Sequence, residues 1–333
     1  MVELNISEKE ANQRLNKFLI KYLNQAPSSF IYKMLRKKNI TLNEKKAKGD
    51  EILVKGDIVK LFLSQDTIDS FKKESAIANK MDIINNIDVS NLNILYCDND
   101  ILAVHKPAGV LSQKATDNDI SINEMILSYC VQNGLSDTSM GFKPSVANRL
   151  DRNTTGIILA GISLKGSQRL AKILKNRDGE KYYFTLVKGK YTKKPRQVAY
   201  IEKSSKNNVS TVISIEDYKK SADLNLKSYD YIETEFTPIH FNGTYTLLKI
   251  KLITGKSHQI RAHLKYLGYP VVGDNKYGNV ATNRYFRDNY KLKHHLLHSG
   301  IFVYEDLYIK DDLPDIFKNI CKKENLDISK LFD

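Results

Sequence analysis

The sequence is short of cysteine, of long apolar runs and of acid, and each shortage excludes something. Its three cysteines, Cys97, Cys130 and Cys321, are odd in number, far apart and in no Cys-x-x-Cys spacing, so neither a disulfide framework nor a zinc site is expected. They read as small buried or half-buried side chains. No apolar run approaches the roughly 18 residues of a membrane-crossing helix. Met1 to Glu10 lacks the basic and apolar regions of a secretion signal, so a cytoplasmic protein without a membrane partner is expected. Asp and Glu number 38 against 52 Lys and Arg, a formal net charge of +14 with a pI near 9.3. Such a surface attracts polyanions, either nucleic acid or an acidic membrane. A length of 333 residues suggests two domains, each able to bury a core.

The positive charge is concentrated near the start. Residues 9–60 hold 13 Lys or Arg against 5 Asp or Glu, where a merely solvated surface would mix the signs more evenly. Ser7-x-x-Glu10 reads as a capping box, and Leu15, Phe18, Leu19, Tyr22 and Leu23 then line one face of an amphipathic helix that ends over Asn24 to Pro27. A second helix starts near Ser28 and buries Phe30, Ile31, Met34 and Leu35, with Lys33, Arg36, Lys37 and Lys38 on its other side and at its end. Ile40-Thr41-Leu42, the turn Asn43-Glu44-Lys45-Lys46 and a strand from Ile58 to Leu63 follow. Lys33, Arg36, Lys37, Lys38, Lys45 and Lys46 are therefore candidate RNA contacts, the alternative being a solvated basic face. This pattern resembles the small S-four RNA-binding domain, which would occupy residues 9–65. Residues 66–91 are polar, lack Gly and Pro and carry only a weak apolar pattern at Ile83-Ile84, which reads as a tether to a second domain over 92–333.

The second region is organised around Asn148-Arg149-Leu150-Asp151-Arg152-Asn153-Thr154-Thr155-Gly156, a carboxylate between two arginines that runs into the apolar strand Ile157-Ile158-Leu159-Ala160. Composition alone reads this as a surface turn; the neighbouring motifs read it as one ionised acid at a pocket mouth. His105-Lys106-Pro107-Ala108-Gly109 is a stiff turn at a strand end, where Lys106 either steadies a phosphate or is simply exposed. Capping boxes or caps at Ser121 and Ser163 open packing helices. In the strand Glu180 to Gly189, Tyr182 and Tyr183 point to opposite faces, so one can face a pocket. Residues 190–245 read as polar antiparallel strands with turns at 204–208 and Phe241-Asn242-Gly243. After the strand Thr246 to Leu252, a helix beginning near Ser257 would carry His258, Arg261 and Lys265 on one face and direct its free N–H groups, its positive dipole end and two cations to one place, which suits an anion.

Four motifs in order carry a resemblance. They are Lys-Pro-Ala-Gly at 106–109, Asn148 to Ala160, Lys181 to Gly189, and Gly-Lys-Ser-His-Gln-Ile-Arg-Ala-His-Leu at 255–264 continued by Leu-Gly-Tyr-Pro-Val-Val-Gly-Asp-Asn-Lys-Tyr-Gly at 267–278. Together they resemble the RluA-type pseudouridine synthases, and the S-four-like module ahead of them resembles the RluC and RluD branch, which modifies large-subunit ribosomal RNA. The resemblance implies an α+β fold with a mixed, mainly antiparallel sheet. It implies Asp151 as catalytic aspartate, Arg261 as its partner, Tyr183 as the tyrosine on the target base, and Leu297-His298-Ser299 as a structural segment beneath the site. Arg149, Arg152, Lys256 and His258 join the expected RNA contacts. The chain departs from the family pattern at Asn148 (usually His), at Lys256 (usually Arg) and at Thr154-Thr155-Gly156 (usually Thr-Ser-Gly). The change at Lys256 loses a two-pronged phosphate contact.

The implied reaction breaks the bond from C1′ to N1 of a flipped uridine, turns the base and rejoins it through C5. Asp151 would start it as nucleophile at C1′ or as base at C2′, and Tyr183 would stack on the base near the C5 proton. An isomerisation without redox change needs no cofactor. No metal is expected either: His294, His295 and His298 have no Cys or acidic ligand at matching spacing. A monomer acting on ribosomal RNA is expected, the alternatives being the same reaction on transfer RNA or a non-catalytic RNA-binding assembly factor.

Overall fold

Two sheets account for the strands of the computed structural model, which describes every residue except 9, 72–85, 117–118, 136–141, 204–208, 223–228 and 333. The first sheet runs β1 (Val2–Asn5), β4 (Ile58–Leu61), β2 (Ile40–Leu42), β3 (Lys45–Lys46). Its Ile40, Val59 and Leu61 share a core with Leu15, Phe18 and Leu19 of α1 (Leu15–Tyr22) and with Ile31 and Leu35 of α2 (Ser28–Arg36). The helical spacing of these apolar residues puts them on the inward faces and leaves Lys33, Arg36, Lys37 and Lys38 exposed.

Two expectations for this region change. Ser7 and Glu10 do bond reciprocally, but they close a turn rather than cap a helix, because residues 12–14 pair with the chain at Glu51 to Leu53 before α1 begins at Leu15. The segment expected as a tether is also not structureless at its two ends. Its first part is α3 (Gln65–Phe71), whose Ile68 joins the first core and whose Phe71 ring lies 4.5 Å from that of Phe30. At the far end Ile87 is buried, and its carbonyl accepts from Ser128 and Gln132 of α4 (Ile122–Gln132). The segment between, with Ile83-Ile84, lies outside the described residues.

The second sheet has eleven strands. Its path is β11 (Ser210–Ile213), β10 (Arg196–Lys203), β12 (Asp230–Phe241), β13 (Tyr245–Leu252), β9 (Glu180–Lys188), β14 (Leu297–Tyr304), β8 (Thr155–Gly161), β6 (Ile101–Lys106), β5 (Ile94–Cys97), with β7 (Ser145–Val146) on β8 and β15 (Leu307–Lys310) on β14. Pairing is antiparallel except between β14 and β8, so the fold is α+β with a mixed, mainly antiparallel sheet, as expected. Five further helices pack on it or beside it: α5 (Leu164–Asn176), α6 (Ile215–Ala222), α7 (Gln259–Tyr266), α8 (Val280–Tyr290) and α9 (Asp315–Lys323). Ser121 and Ser163 cap α4 and α5 as their sequences predict. The turn expected at 204–208 lies outside the described residues.

One register positions everything that follows. Ser299 of β14 pairs with Gly156 of β8 on one side and with Tyr183 of β9 on the other, so strands far apart in sequence meet at one level. Gly156 has φ +117, and a Cβ there would stand 2.2 Å from the Ser299 carbonyl oxygen. Only glycine fits so close a parallel neighbour in that conformation. Gly156→Ala is therefore expected to cost about 2 kcal/mol or more and to lower the calorimetric Tm by roughly 5 °C or more. An unchanged Tm would show that β8 and β14 are not held this tightly.

Candidate active site

The loop from Leu150 to Thr154 leaves β7 and feeds β8, and three sets of bonds fix it. The Ser112 hydroxyl donates to the Leu150 carbonyl and accepts from its N–H, both at 2.9 Å. Thr154 turns its N–H back to the Asp151 carbonyl at 3.0 Å, and its hydroxyl meets His295 Nε2 at 2.8 Å. Lys106 supplies the third. It is fully buried, and its ammonium donates to the carbonyls of Pro107, Val110 and Arg152 at 3.0, 2.8 and 2.8 Å, lacing the turn after β6 to the loop after Asp151. Burial pushes it down to about 7, while the Asp151 carboxylate pulls it back up. Lys106 is thus withdrawn from the expected RNA contacts: its three N–H donors are spent on carbonyls and no face of it reaches solvent.

Asp151 itself is half-buried and held from one side. Its Oδ2 accepts from Nη1 of Arg261 at 2.7 Å. The same guanidinium gives its other edge to Asp274, Nε to Oδ2 at 2.7 Å and Nη2 to Oδ1 at 2.8 Å. Asp274 is wholly buried, and its Oδ1 also takes the N–H groups of Lys276 and Tyr277. Burial alone would lower the Arg261 guanidinium, but the bonds and charges of Asp274 and Asp151 hold it above its ordinary value. Burial likewise opposes ionisation of Asp274, and Arg261 overrides it, leaving that carboxylate below its usual range. A planar fork locked on one carboxylate by two bonds fixes the direction in which Nη1 reaches the other.

Arg261 reaches this position because α7 is pinned at its start. Gln259 accepts from the Thr254 hydroxyl and the Lys256 N–H and donates to the Glu233 carbonyl, tying the helix to β12. His258 precedes the helix at φ +57, with its Nδ1 2.9 Å from the Tyr277 hydroxyl and its Nε2 4.0 Å from Asp151 Oδ1. Burial pushes this imidazole below its ordinary value, against the pull of Asp151. His258 is therefore a neutral ring facing the carboxylate, not the surface cation expected for phosphate. Lys256 stays at the surface, paired with Asp230 at 2.6 Å. Arg149 and Arg152 stand exposed on either side of Asp151.

Tyr183 approaches from β9, buried in the core cluster with Leu150 and Ile260, while Tyr182 lies on the other face against Glu180 and Lys251. Burial pushes the Tyr183 phenol up to about 12; a hydrogen bond with the Ser299 side chain opposes this and the nearby charge of Asp151 adds to it. The structure thus brings Asp151, Arg261 and Tyr183 to one place. Asp274 and Tyr277 lie inside a motif that the sequence singles out, yet their own role is visible only in the fold. The available signal was a carboxylate between Gly273 and Gly278, which looks like any turn. His294 and His295 precede β14, and His298 lies within it.

Buried neutral histidines make acid the weak side of this fold. His263 and His295 are both held down to about 4 by burial, against about 6.5 in an unfolded chain. Their contribution is intact above about 6.5 and is lost as pH falls toward 4, because the unfolded state then binds more protons. At pH 5 each is expected to cost on the order of 2 kcal/mol. Urea midpoints at pH 7.5 and 5 should therefore fall less in a His263→Gln/His295→Gln variant than in the wild type.

Comparison with known proteins gives the family of the chain. A family-wide sequence model described as RNA pseudouridylate synthase matches residues 100–266. An uncharacterised RNA pseudouridine synthase of Mycoplasma pneumoniae is 30% identical over 86% of this chain and 83% of its own length. The ribosomal large subunit pseudouridine synthase C of Vibrio vulnificus is 27% identical over 85% of this chain and 82% of its own. Among solved structures, human RNA pseudouridylate synthase domain containing 4 superposes with a TM-score of 0.56 at 16% identity, over 74% of this chain and 98% of that one, a likeness of fold. The chain belongs to the RNA pseudouridylate synthase family, enzymes that isomerise uridine to pseudouridine in RNA.

Proposed function

We propose that this enzyme modifies uridines of large-subunit ribosomal RNA and that Asp151 starts the isomerisation, with Arg261 orienting it and Tyr183 against the flipped base. The observation that carries the reading is the Arg261 fork shared by Asp151 and the buried Asp274. The fork holds Oδ2 and leaves Oδ1 without a hydrogen bond among the described residues, with His258 Nε2 4.0 Å away. That oxygen is free to meet the ribose, whether it attacks C1′ or takes a proton from C2′. Tyr183, held near 12, stays a protonated phenol at neutral pH. It gives a hydrogen bond more readily than it takes a proton, so stacking and donation suit it better than removal of the C5 proton. The ribosomal substrate is supported by the name of the Vibrio vulnificus relative.

Residues 9–65, read as an S-four-like domain, would grip RNA outside the catalytic unit at 92–333. Lys33, Arg36, Lys37, Lys38, Lys45 and Lys46 are all exposed there, and Arg149 and Arg152 are exposed beside Asp151. Phosphate contacts of this kind offset the few kcal/mol that base flipping costs. One chain supplies all three central side chains, which suits a monomer, and a ribosomal substrate suits a cytoplasmic enzyme. No helix among the described residues is long and apolar enough to cross a membrane.

Transcribed large-subunit RNA and transfer RNA, each incubated with enzyme and mapped by carbodiimide stops in primer extension, test substrate and residue together. New stops in the ribosomal RNA, reduced at least about a thousandfold in rate by Asp151→Asn, are the expected result; stops confined to transfer RNA would overturn the substrate assignment. Asp274→Asn should lower kcat about 10- to 100-fold with little change in KM and should cost about 3–5 kcal/mol of stability, since it leaves Arg261 buried and half-paired. Charge reversal of Lys33, Arg36 and Lys37 should weaken RNA binding and make its salt dependence shallower, by about 0.7–0.9 in log–log slope for each phosphate no longer neutralised. An unchanged slope would remove the first sheet from the RNA-binding surface.

A further inference from the structure

Next to the Asp151 loop lies a cavity of about 210 Å³ that no step of the reaction uses. Its walls include Leu292, Leu296, Leu297 and Phe317, with Thr155 and His295 on the side of the loop. His295 is the partition: its ring bonds the Thr154 hydroxyl and feels the charges of Arg261, Asp274 and Asp151. A ligand in the cavity would therefore sit one side chain away from the reacting uridine. At this size, below the roughly 300 Å³ where drug-sized sites begin, there is room for one ring system and none for a whole nucleotide.

The chemistry of the lining is that of a base site: apolar faces with polar groups at the edge. His294 lines it, and its imidazole has no hydrogen-bond or ion-pair partner among the described residues, so its two ring nitrogens are left for a base edge. Lys291 and Lys293 also border it, both exposed. Lys293 has no partner among the described residues, and Lys291 reaches only the Asp288 carbonyl at 3.3 Å. Two cations with no carboxylate partner among the described residues, beside an apolar slot, suit a phosphodiester whose base has turned inward.

We propose that this cavity takes the base of a nucleotide adjoining the target uridine, lifted from the stack with it, and so selects which uridines are accepted. The inference rests on the reading of this chain as an enzyme acting on a flipped uridine. Ile316, at the exposed start of α9, also lines the cavity, so Ile316→Trp fills it without touching Asp151, Arg261 or Tyr183.

Stem-loops carrying the modified uridine are made with an abasic site at each neighbouring nucleotide in turn. At one position the abasic change should lower kcat/KM of the wild type about tenfold, and Ile316→Trp should show a similar loss on the intact RNA and no further loss on the abasic one. Losses that multiply, or no sensitive position, would overturn the base site while leaving the catalytic reading standing. A second arm does not depend on turnover. Full-length Asp151→Asn protein is titrated with AMP and with inorganic phosphate while the methyl signals of Leu296 and Leu297 are followed. Shifts with AMP alone that vanish when Ile316→Trp is added support the site; shifts confined to the surroundings of Tyr183 refute it. If the wild type makes no pseudouridine in any RNA, the catalytic reading falls and the AMP titration alone decides the cavity.

Discussion

Arg261 lies between two carboxylates of unequal standing, and the rest of the site depends on that inequality. Asp274 is closed off from solvent and takes two of the guanidinium's bonds, while Asp151 is half-open and takes one. Burying such a pair gains little stability, because desolvation cancels most of the attraction. What it supplies is direction. The planar fork, fixed by Asp274, sets the direction of its Nη1 bond, and Asp151 is held along it by one oxygen only.

The sheet does for distance what the fork does for direction. Asp151 and Tyr183 are brought level because β14 accepts both β8 and β9 at Ser299, in parallel on one side and antiparallel on the other. His298, one residue earlier, ties the same strand downward: its Nδ1 lies 2.9 Å from the Thr155 hydroxyl and its Nε2 3.0 Å from the Asp311 carbonyl, while the Asp311 carboxylate meets His105 at 2.6 Å. The loop bearing Asp151 is therefore held from beneath by side chains on β6, β14 and the residue after β15. Lys106 belongs to this scaffold, and its burial beneath the loop explains why a cation at a strand end is spent on carbonyls and not on substrate.

Much of this was legible in the sequence where the pattern is local. The capped starts of α4 and α5, the inward faces of α1 and α2 and the alternation that separates Tyr182 from Tyr183 all follow from spacings of two to four residues. The Asp151, Tyr183 and Arg261 motifs stood out through resemblance. The partner of Arg261 did not, because an aspartate among glycines reads as a turn and only the tertiary fold makes Asp274 a buried clamp. Lys106 misleads for a related reason: lysine is so seldom fully buried that sequence alone assigns it to the surface. The parallel β8–β14 pair has no local signature, since it joins residues more than a hundred apart. α3 escaped because a helix of 7 residues carrying Ile68 and Phe71 is too short for a periodic signal.

The strained start of α7 fits the same logic. His258 adopts a left-handed backbone, which costs a non-glycine residue about 1 kcal/mol or more, yet Gly255 lies only three residues earlier and could have taken the turn. The ring is what that conformation secures. The Ser210 N–H donates to the Tyr277 hydroxyl at 2.6 Å, and the same hydroxyl holds His258 Nδ1 at 2.9 Å. The other ring nitrogen, Nε2, stands 4.0 Å from Asp151 Oδ1, too far to bond. A histidine bonded to that oxygen would compete with the ribose for it. Held just out of reach, His258 lets the carboxylate keep one open oxygen while Arg261 fixes the other.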